Sequence, residues 1–292
     1  MKRVLITGAN SYIGTNFAKR AAEFYSSEIS VETLDMLKEN WREKNFSGFD
    51  VVFHVAGIAH ADSGKETEEI KARYMAVNRD LAVEVAEKSK REGAGHFIFM
   101  SSMLVYENSH ERINLDTVPN PKSCYAQSKW QADEKIREIF SPSDENFIVS
   151  IMRPPMIYGK DCKGNYPLLS KIAKISPVFP DYKNERSMCY IENFCEFLCQ
   201  IIIKSRGGIF FPQNSEYIST SNLVKIIAKA AGHKIFISRI FNFLVTVGLK
   251  LKISKIKKAF STLTYDKTMS EYDFDYRVKD FEASINFIEG KE

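Results

Sequence analysis

Along the first half of the chain, short β-rich runs alternate with longer stretches whose apolar positions recur at helical spacing. Strands are predicted at Lys2 to Thr7, Ile29 to Leu34, Asp50 to Val55, His96 to Ser101 and Phe147 to Met152. Helices fit between them at Ile13 to Tyr25, Glu66 to Arg91 and Tyr125 to Phe140. Such alternation is the mark of a parallel sheet covered by helices on both faces, an α/β, Rossmann-type doubly wound architecture.

The rhythm changes after Arg153, where Pro154, Pro155, Pro167, Pro177 and Pro180 break the chain into loops. Residues 1–160 are therefore read as a dinucleotide-binding domain and 161–292 as a smaller α/β substrate lobe. Part of the later chain, including a short strand at Gly208 to Phe211, is expected to return to the first domain.

Composition adds little until it is resolved along the sequence. Net charge is only +4 over 292 residues, yet positions 217–265 hold nine Lys or Arg and no acid. Within that span, Ile235 to Phe260 mixes large apolar residues with spaced lysines, as amphipathic helices do. A basic rim for an anionic small molecule and peripheral contact with an anionic membrane both fit; a helical cap with its lysines in water is the favoured reading. No apolar run reaches bilayer length, and nothing resembles a nucleic-acid reading module. The amino-terminal apolar run is too short for a signal peptide, so cytoplasmic residence is expected. Five cysteines, Cys124, Cys162, Cys189, Cys195 and Cys199, form no close CxxC pair, which suits reduced core thiols and no metal site.

Thr7-Gly8-Ala9-Asn10-Ser11-Tyr12-Ile13-Gly14 joins the first strand to the first helix. Glycines in this context hold a pyrophosphate against a helix N-terminus. Gly8 would permit the tight turn and Gly14 the close helix–strand packing, while Ser11 replaces the usual middle glycine, so a slightly adjusted loop is expected. Asp35, just after the second strand, is placed to accept hydrogen bonds from a ribose and to repel a 2′-phosphate, which favours NAD over NADP.

Tyr125 and Lys129 lie four residues apart in a stretch free of Pro and Gly, hence on one helix face. A phenol titrates near 10 unperturbed, and a neighbouring ammonium is expected to bring it toward working pH. Ser102, just past the fourth strand, stands at the carboxyl edge where such sheets bind ligands. Hydroxyl, phenol and ammonium together make a proton-transfer site. His54 and His60 are not needed for that chemistry, and His54 is expected in packed structure.

These residues carry a resemblance. TGANSYIG at Thr7 to Gly14, VFHVAG at Val52 to Gly57, SSMLVY at Ser101 to Tyr106, YAQSK at Tyr125 to Lys129 and RPPMIYG at Arg153 to Gly159 are similar to the extended short-chain dehydrogenase/reductase family. Within it, the likeness is to the NAD-dependent nucleotide-sugar 4-epimerases and 4-ketoreductases of bacterial polysaccharide biosynthesis. The resemblance implies that Tyr125 is the acid/base, Lys129 its partner and Ser102 the third member. It also implies that Ala56, Asn78, Ser101, Pro154 and Pro155 line the cofactor cleft together with Tyr12 and Ile13. Where sugar dehydratases of the family carry an Asp-Glu pair, this chain has Met103 and Leu104, which cannot move a proton.

The expected activity is epimerisation of a nucleotide-sugar, first of all a UDP-sugar, at C4 through a transient 4-keto ring. The alternative is a 4-keto-sugar reductase using NAD(P)H and the same triad. Met103, Asn165, Arg186 and Arg277 are the substrate-side candidates, the arginines because a guanidinium suits bidentate phosphate binding. Many relatives pair through two helices, one bearing the Tyr-Lys motif, so a homodimer is expected.

Overall fold

The computed structural model describes residues 1–59, 67–107, 112–140, 146–251 and 253–290. Its centre is a parallel sheet built from β1 (Lys2–Thr7), β2 (Ile29–Leu34), β3 (Val51–His54), β4 (His96–Met100), β5 (Ile148–Met152) and β9 (Gly208–Phe210), in the order 2-1-3-4-5-9. The chain leaves β1 toward β2 and returns to place β3 on the other side of β1. That reversal opens a crevice beyond the carboxyl ends of β1 and β3, the place where open α/β sheets take ligands. Strands β3 and β4 are wholly buried, as parallel strands between two helical layers must be.

Helices α1 (Tyr12–Phe24), α2 (Glu68–Tyr74), α3 (Leu81–Arg91) and α4 (Cys124–Ile139) connect these strands. The helix expected from Glu66 to Arg91 is interrupted: a wider π turn over Met75–Asp80 separates α2 from α3. That turn directs Asn78 inward, which a regular 3.6-residue spacing does not reveal; Glu66 and His60 lie outside the described residues.

Beyond β5, a small sheet pairs β6 (Met156–Tyr158) with β8 (Met188–Tyr190), and another pairs β7 (Val178–Pro180) with β10 (Phe236–Ser238). Helices α5 (Asn165–Ile175), α7 (Thr220–Ala230), α8 (Asn242–Lys250), α9 (Ser254–Phe260) and α10 (Phe281–Glu289) lie in the same later part of the chain. Helix α6 (Ile191–Ile203) returns to pack on α1, with β9 following it onto the large sheet. One continuous apolar core accordingly runs from Val4 and Phe17 to Phe197 and Ile285. Cys195 and Cys199 sit inside it on α6, and burial pushes both thiols up. Among the described residues, no helix is long and apolar enough to cross a membrane.

Candidate active site

The crevice begins at Gly8. Its φ of +124° belongs to glycine, and a Cβ there would stand 2.7 Å from the Ala56 nitrogen. Ala56 N–H donates to the Thr7 carbonyl at 2.8 Å, so the ends of β1 and β3 are drawn together across a gap without side chains. The N–H groups of Gly8 and Ala9 both donate to the Leu34 carbonyl, which brings the end of β2 and Asp35 beside the same turn. One oxygen of Asp35 accepts from Leu37 N–H at 3.0 Å.

Ser11 does not obstruct this turn, because its hydroxyl folds back to cap α1 and accepts from Gly14 N–H at 3.2 Å. A side chain on Gly14 would meet that hydroxyl at 2.6 Å and Ile6 at 3.0 Å, so helix and strand touch only because residue 14 has none. Tyr12 and Ile13 open the helix, where the first N–H groups have no intrahelical acceptor and favour an anion. The Tyr12 ring turns inward beside Gly159, its hydroxyl buried and without a hydrogen-bond partner among the described residues. A bare glycine turn, a helix N-terminus whose Tyr12 and Ile13 N–H groups have no intrahelical acceptor, and a carboxylate after β2 are the fittings a dinucleotide needs.

The reactive groups lie across the crevice on α4, which is capped by Ser123 and continued without a break past Lys129. Tyr125 hydrogen-bonds Ser102, and its ring packs edge-on against Tyr74 at 6.1 Å. Burial raises the phenol above its ordinary value, Ser102 lowers it, and Tyr74 raises it again. The counterweight to burial in this structure is thus the Ser102 hydroxyl, whereas the sequence had pointed to Lys129. Ser102 also accepts from Leu104 N–H at 3.1 Å, and Met103 N–H donates to the Pro154 carbonyl at 2.9 Å. The Ser102 turn is in this way fixed to the end of β5, with Pro154 and Pro155 buried beside it.

Lys129 is 5% exposed, and burial lowers it to about 8. Its ammonium stands 5.0 Å from the Phe99 ring centre and 3.2 Å from where a Cβ on Gly57 would be. Glycine at 57 therefore makes the room that the lysine occupies. Asn78 braces the same loop: its Oδ1 accepts from Ile58 N–H and its Nδ2 donates to Ile58 O, both at 2.9 Å. His54 is packed between Phe97 and Phe99, bonded through Nδ1 to Thr7 Oγ1 at 2.8 Å. Burial drives it to about 3, with the Lys129 charge adding to the effect, so it stays neutral.

Ser101 turns away from Ser102 and donates its hydroxyl to Asp133 at 3.0 Å. Asp133 was not singled out from the sequence, although it extends the Tyr125, Lys129 face by one more turn. It is fully buried and pairs with Arg153, itself under the Trp130 and Tyr106 rings. Of the substrate-side candidates, Met103 is buried and Asn165 opens α5 after Gly164, whose φ is +102°. Arg186 donates to the carbonyls of Lys258 and Ser261 at 2.8 and 3.1 Å, tying down the end of α9. Arg277 is spent on the Gln213 and Ser270 carbonyls and on Glu271. Among the described residues, the side-chain hydrogen bonds of both arginines are with these partners and not with Tyr125.

Residues 4–210 match the NAD dependent epimerase/dehydratase family. The chain belongs to that family. Its cofactor is accordingly NAD, and the extended short-chain dehydrogenase/reductase likeness holds. The chain is 29% identical over 211 residues to an N-acetyl-α-D-glucosaminyl-diphospho-ditrans,octacis-undecaprenol 4-epimerase of Escherichia coli O157:H7, covering 67% of this chain and 61% of that one. It is 26% identical over 251 residues to a UDP-glucose 4-epimerase of Vibrio cholerae, covering 78% of this chain and 76% of the relative. Among solved structures, a dTDP-4-dehydrorhamnose reductase from Clostridium acetobutylicum superposes with a TM-score of 0.75 at 16% identity, over 98% of both chains. That last likeness shows the Rossmann-type fold of the family.

Proposed function

We propose that the chain is a 4-epimerase of a nucleotide-sugar, with UDP-hexoses as the substrate class. The observation that carries this reading is Tyr125, hydrogen-bonded to Ser102 and one helical turn from a buried ammonium, beside the Gly8–Ala56 crevice. Both sequence relatives above are 4-epimerases of sugars attached to a diphosphate, which supports the choice of reaction.

Asp35 and the N-terminus of α1 would hold NAD, which when bound supplies a hydride acceptor able to give the hydride back. Once Tyr125 has given up its own proton, the Oη phenolate takes the proton of the sugar 4-hydroxyl, becoming the phenol, and later returns it, with Ser102 hydrogen-bonded to Tyr125. Such positioned proton transfer contributes about 10²–10⁴-fold. Lys129, charged at neutral pH with a value near 8, stabilises the phenolate that this step requires as its base. Met103 and Leu104 leave no acid–base pair for removing water from the ring.

The test is to supply the purified chain with NAD and to follow UDP-glucose, UDP-galactose and their N-acetylated forms by proton NMR. Interconversion at C4 is expected. No interconversion, with oxidation of NADH on adding a UDP-linked 4-keto-6-deoxy sugar, would replace epimerase by reductase.

A further inference from the structure

The basic stretch expected to be a helical cap proves to be β10, a tight turn at Arg239–Phe241, α8 and α9. The cap reading requires its outer face to be polar. Instead α8 has two apolar faces. Val245 and Gly248 are buried, the glycine because α9 presses its Ile256 against it. On the outward side Ile240, Phe243, Leu244, Val247 and Leu251 form one stripe of helical periodicity, and are 76, 60, 53, 50 and 69% exposed. Phe236 at 66% exposed, paired in register with the exposed Val178, continues the patch onto the β7–β10 sheet. An apolar surface of this continuity on a water-facing helix marks an interaction site.

Its occupant is indicated by charge. Lys234, Lys250, Lys257 and Lys258 are exposed around the patch, and no acid occurs anywhere in 217–265. Among the described residues none of these four lysines forms an ion pair, whereas Arg239 is bound to Asp181. A protruding apolar stripe with an uncompensated cationic border suits the headgroup region of a bilayer, where aliphatic side chains enter the acyl boundary and lysines meet anionic lipid.

We propose that the outward face of β10, α8 and α9 docks on an anionic membrane surface. The docking face is secured to the body of the protein: Arg186 bonds to α9, and Asn242 Nδ2 donates to the Asp181 carbonyl at 2.8 Å. The inference does not depend on which sugar is processed, so failure of either reading leaves the other standing.

The purified chain is floated with phosphatidylglycerol-containing vesicles and with pure phosphatidylcholine vesicles. Binding to the former only, weakened at high salt, is expected. The L244Q/V247Q double variant should lose more than about tenfold in partitioning, and Lys250→Gln about fivefold. Phe24→Gln, equally exposed but on α1, should float like the parent. Circular dichroism and NAD retention confirm that each variant is folded. Absence of flotation, undiminished flotation of the double variant, or a parent dimer that only the double variant dissociates would each overturn the proposal, the last by showing that a second copy covers the face.

Discussion

Asp133 grips Arg153 with both carboxylate oxygens, Oδ2 to Nε at 2.8 Å and Oδ1 to Nη2 at 2.9 Å, and the side chains are 0 and 4% exposed. Because Asp133 stands on α4 and Arg153 at the end of β5, the pair fixes the helix that carries Tyr125 to the sheet that carries Ser102. Asp133→Asn leaves Arg153 charged and unpaired in the interior, a change that costs about 3–5 kcal/mol. Urea unfolding should register that loss. The D133L/R153M double variant, which removes both charges, should recover part of it; equal stability of Asp133→Asn and the parent would deny the pair this role.

Tyr125→Phe removes one oxygen and leaves the packing against Tyr74. Turnover should fall by about 10²–10⁴-fold, while NAD retention stays near that of the parent. Full activity of the variant would take Tyr125 out of the proton chemistry.

Lys129 provides a pH signature. Its value in the folded, ligand-free chain is about 8, against an ordinary 10.5. Between those two values the unfolded state binds the extra proton, so stability rises with pH there. Below pH 8 the full penalty of a buried ammonium is present. Lys129→Met should accordingly stabilise the ligand-free protein at pH 7, by on the order of 1–3 kcal/mol. The advantage should shrink above pH 8 and vanish near 10.5. Denaturant midpoints at pH 7 and pH 10 check this, and an advantage that is the same at both would refute it.

Gly8→Ala tests the crevice. At φ +124°, with the Ala56 nitrogen 2.7 Å from the new methyl, the turn must shift. Isothermal titration should show NAD affinity reduced by at least about tenfold, given a backbone strain of about 1–3 kcal/mol. Unchanged affinity would place the cofactor elsewhere.

The sheet was legible because its strands are continuous apolar runs separated by helical spacing; β1 and β2 end where the sequence places their ends. The Tyr125–Lys129 face was legible because four residues make one helical turn. Less accessible were relationships across elements. Nothing in the local sequence shows that Ser101 bonds Asp133, or that Gly57 vacates the space for Lys129, since those contacts depend on how β4 and α4 pack. The break of the long helix at Met75–Asp80 also escapes a reading that applies one 3.6-residue spacing throughout, because the widened turn rotates the residues after it relative to those before. Arg186 and Arg277 suggested phosphate ligands, yet both mostly satisfy backbone carbonyls, a role that any arginine near loop ends can take.

Strand β9 joins β5 with Ser150 opposite Gly208, and the intervening chain forms β6, α5, β7, β8 and α6. During translation, β5 must therefore wait for its neighbour until more than fifty further residues have left the ribosome, its hydrogen-bonding rim bare meanwhile. A fragment ending near residue 160 would retain that bare rim permanently and would be prone to self-pairing, so the nucleotide-binding half is poorly suited to excision as a free-standing module.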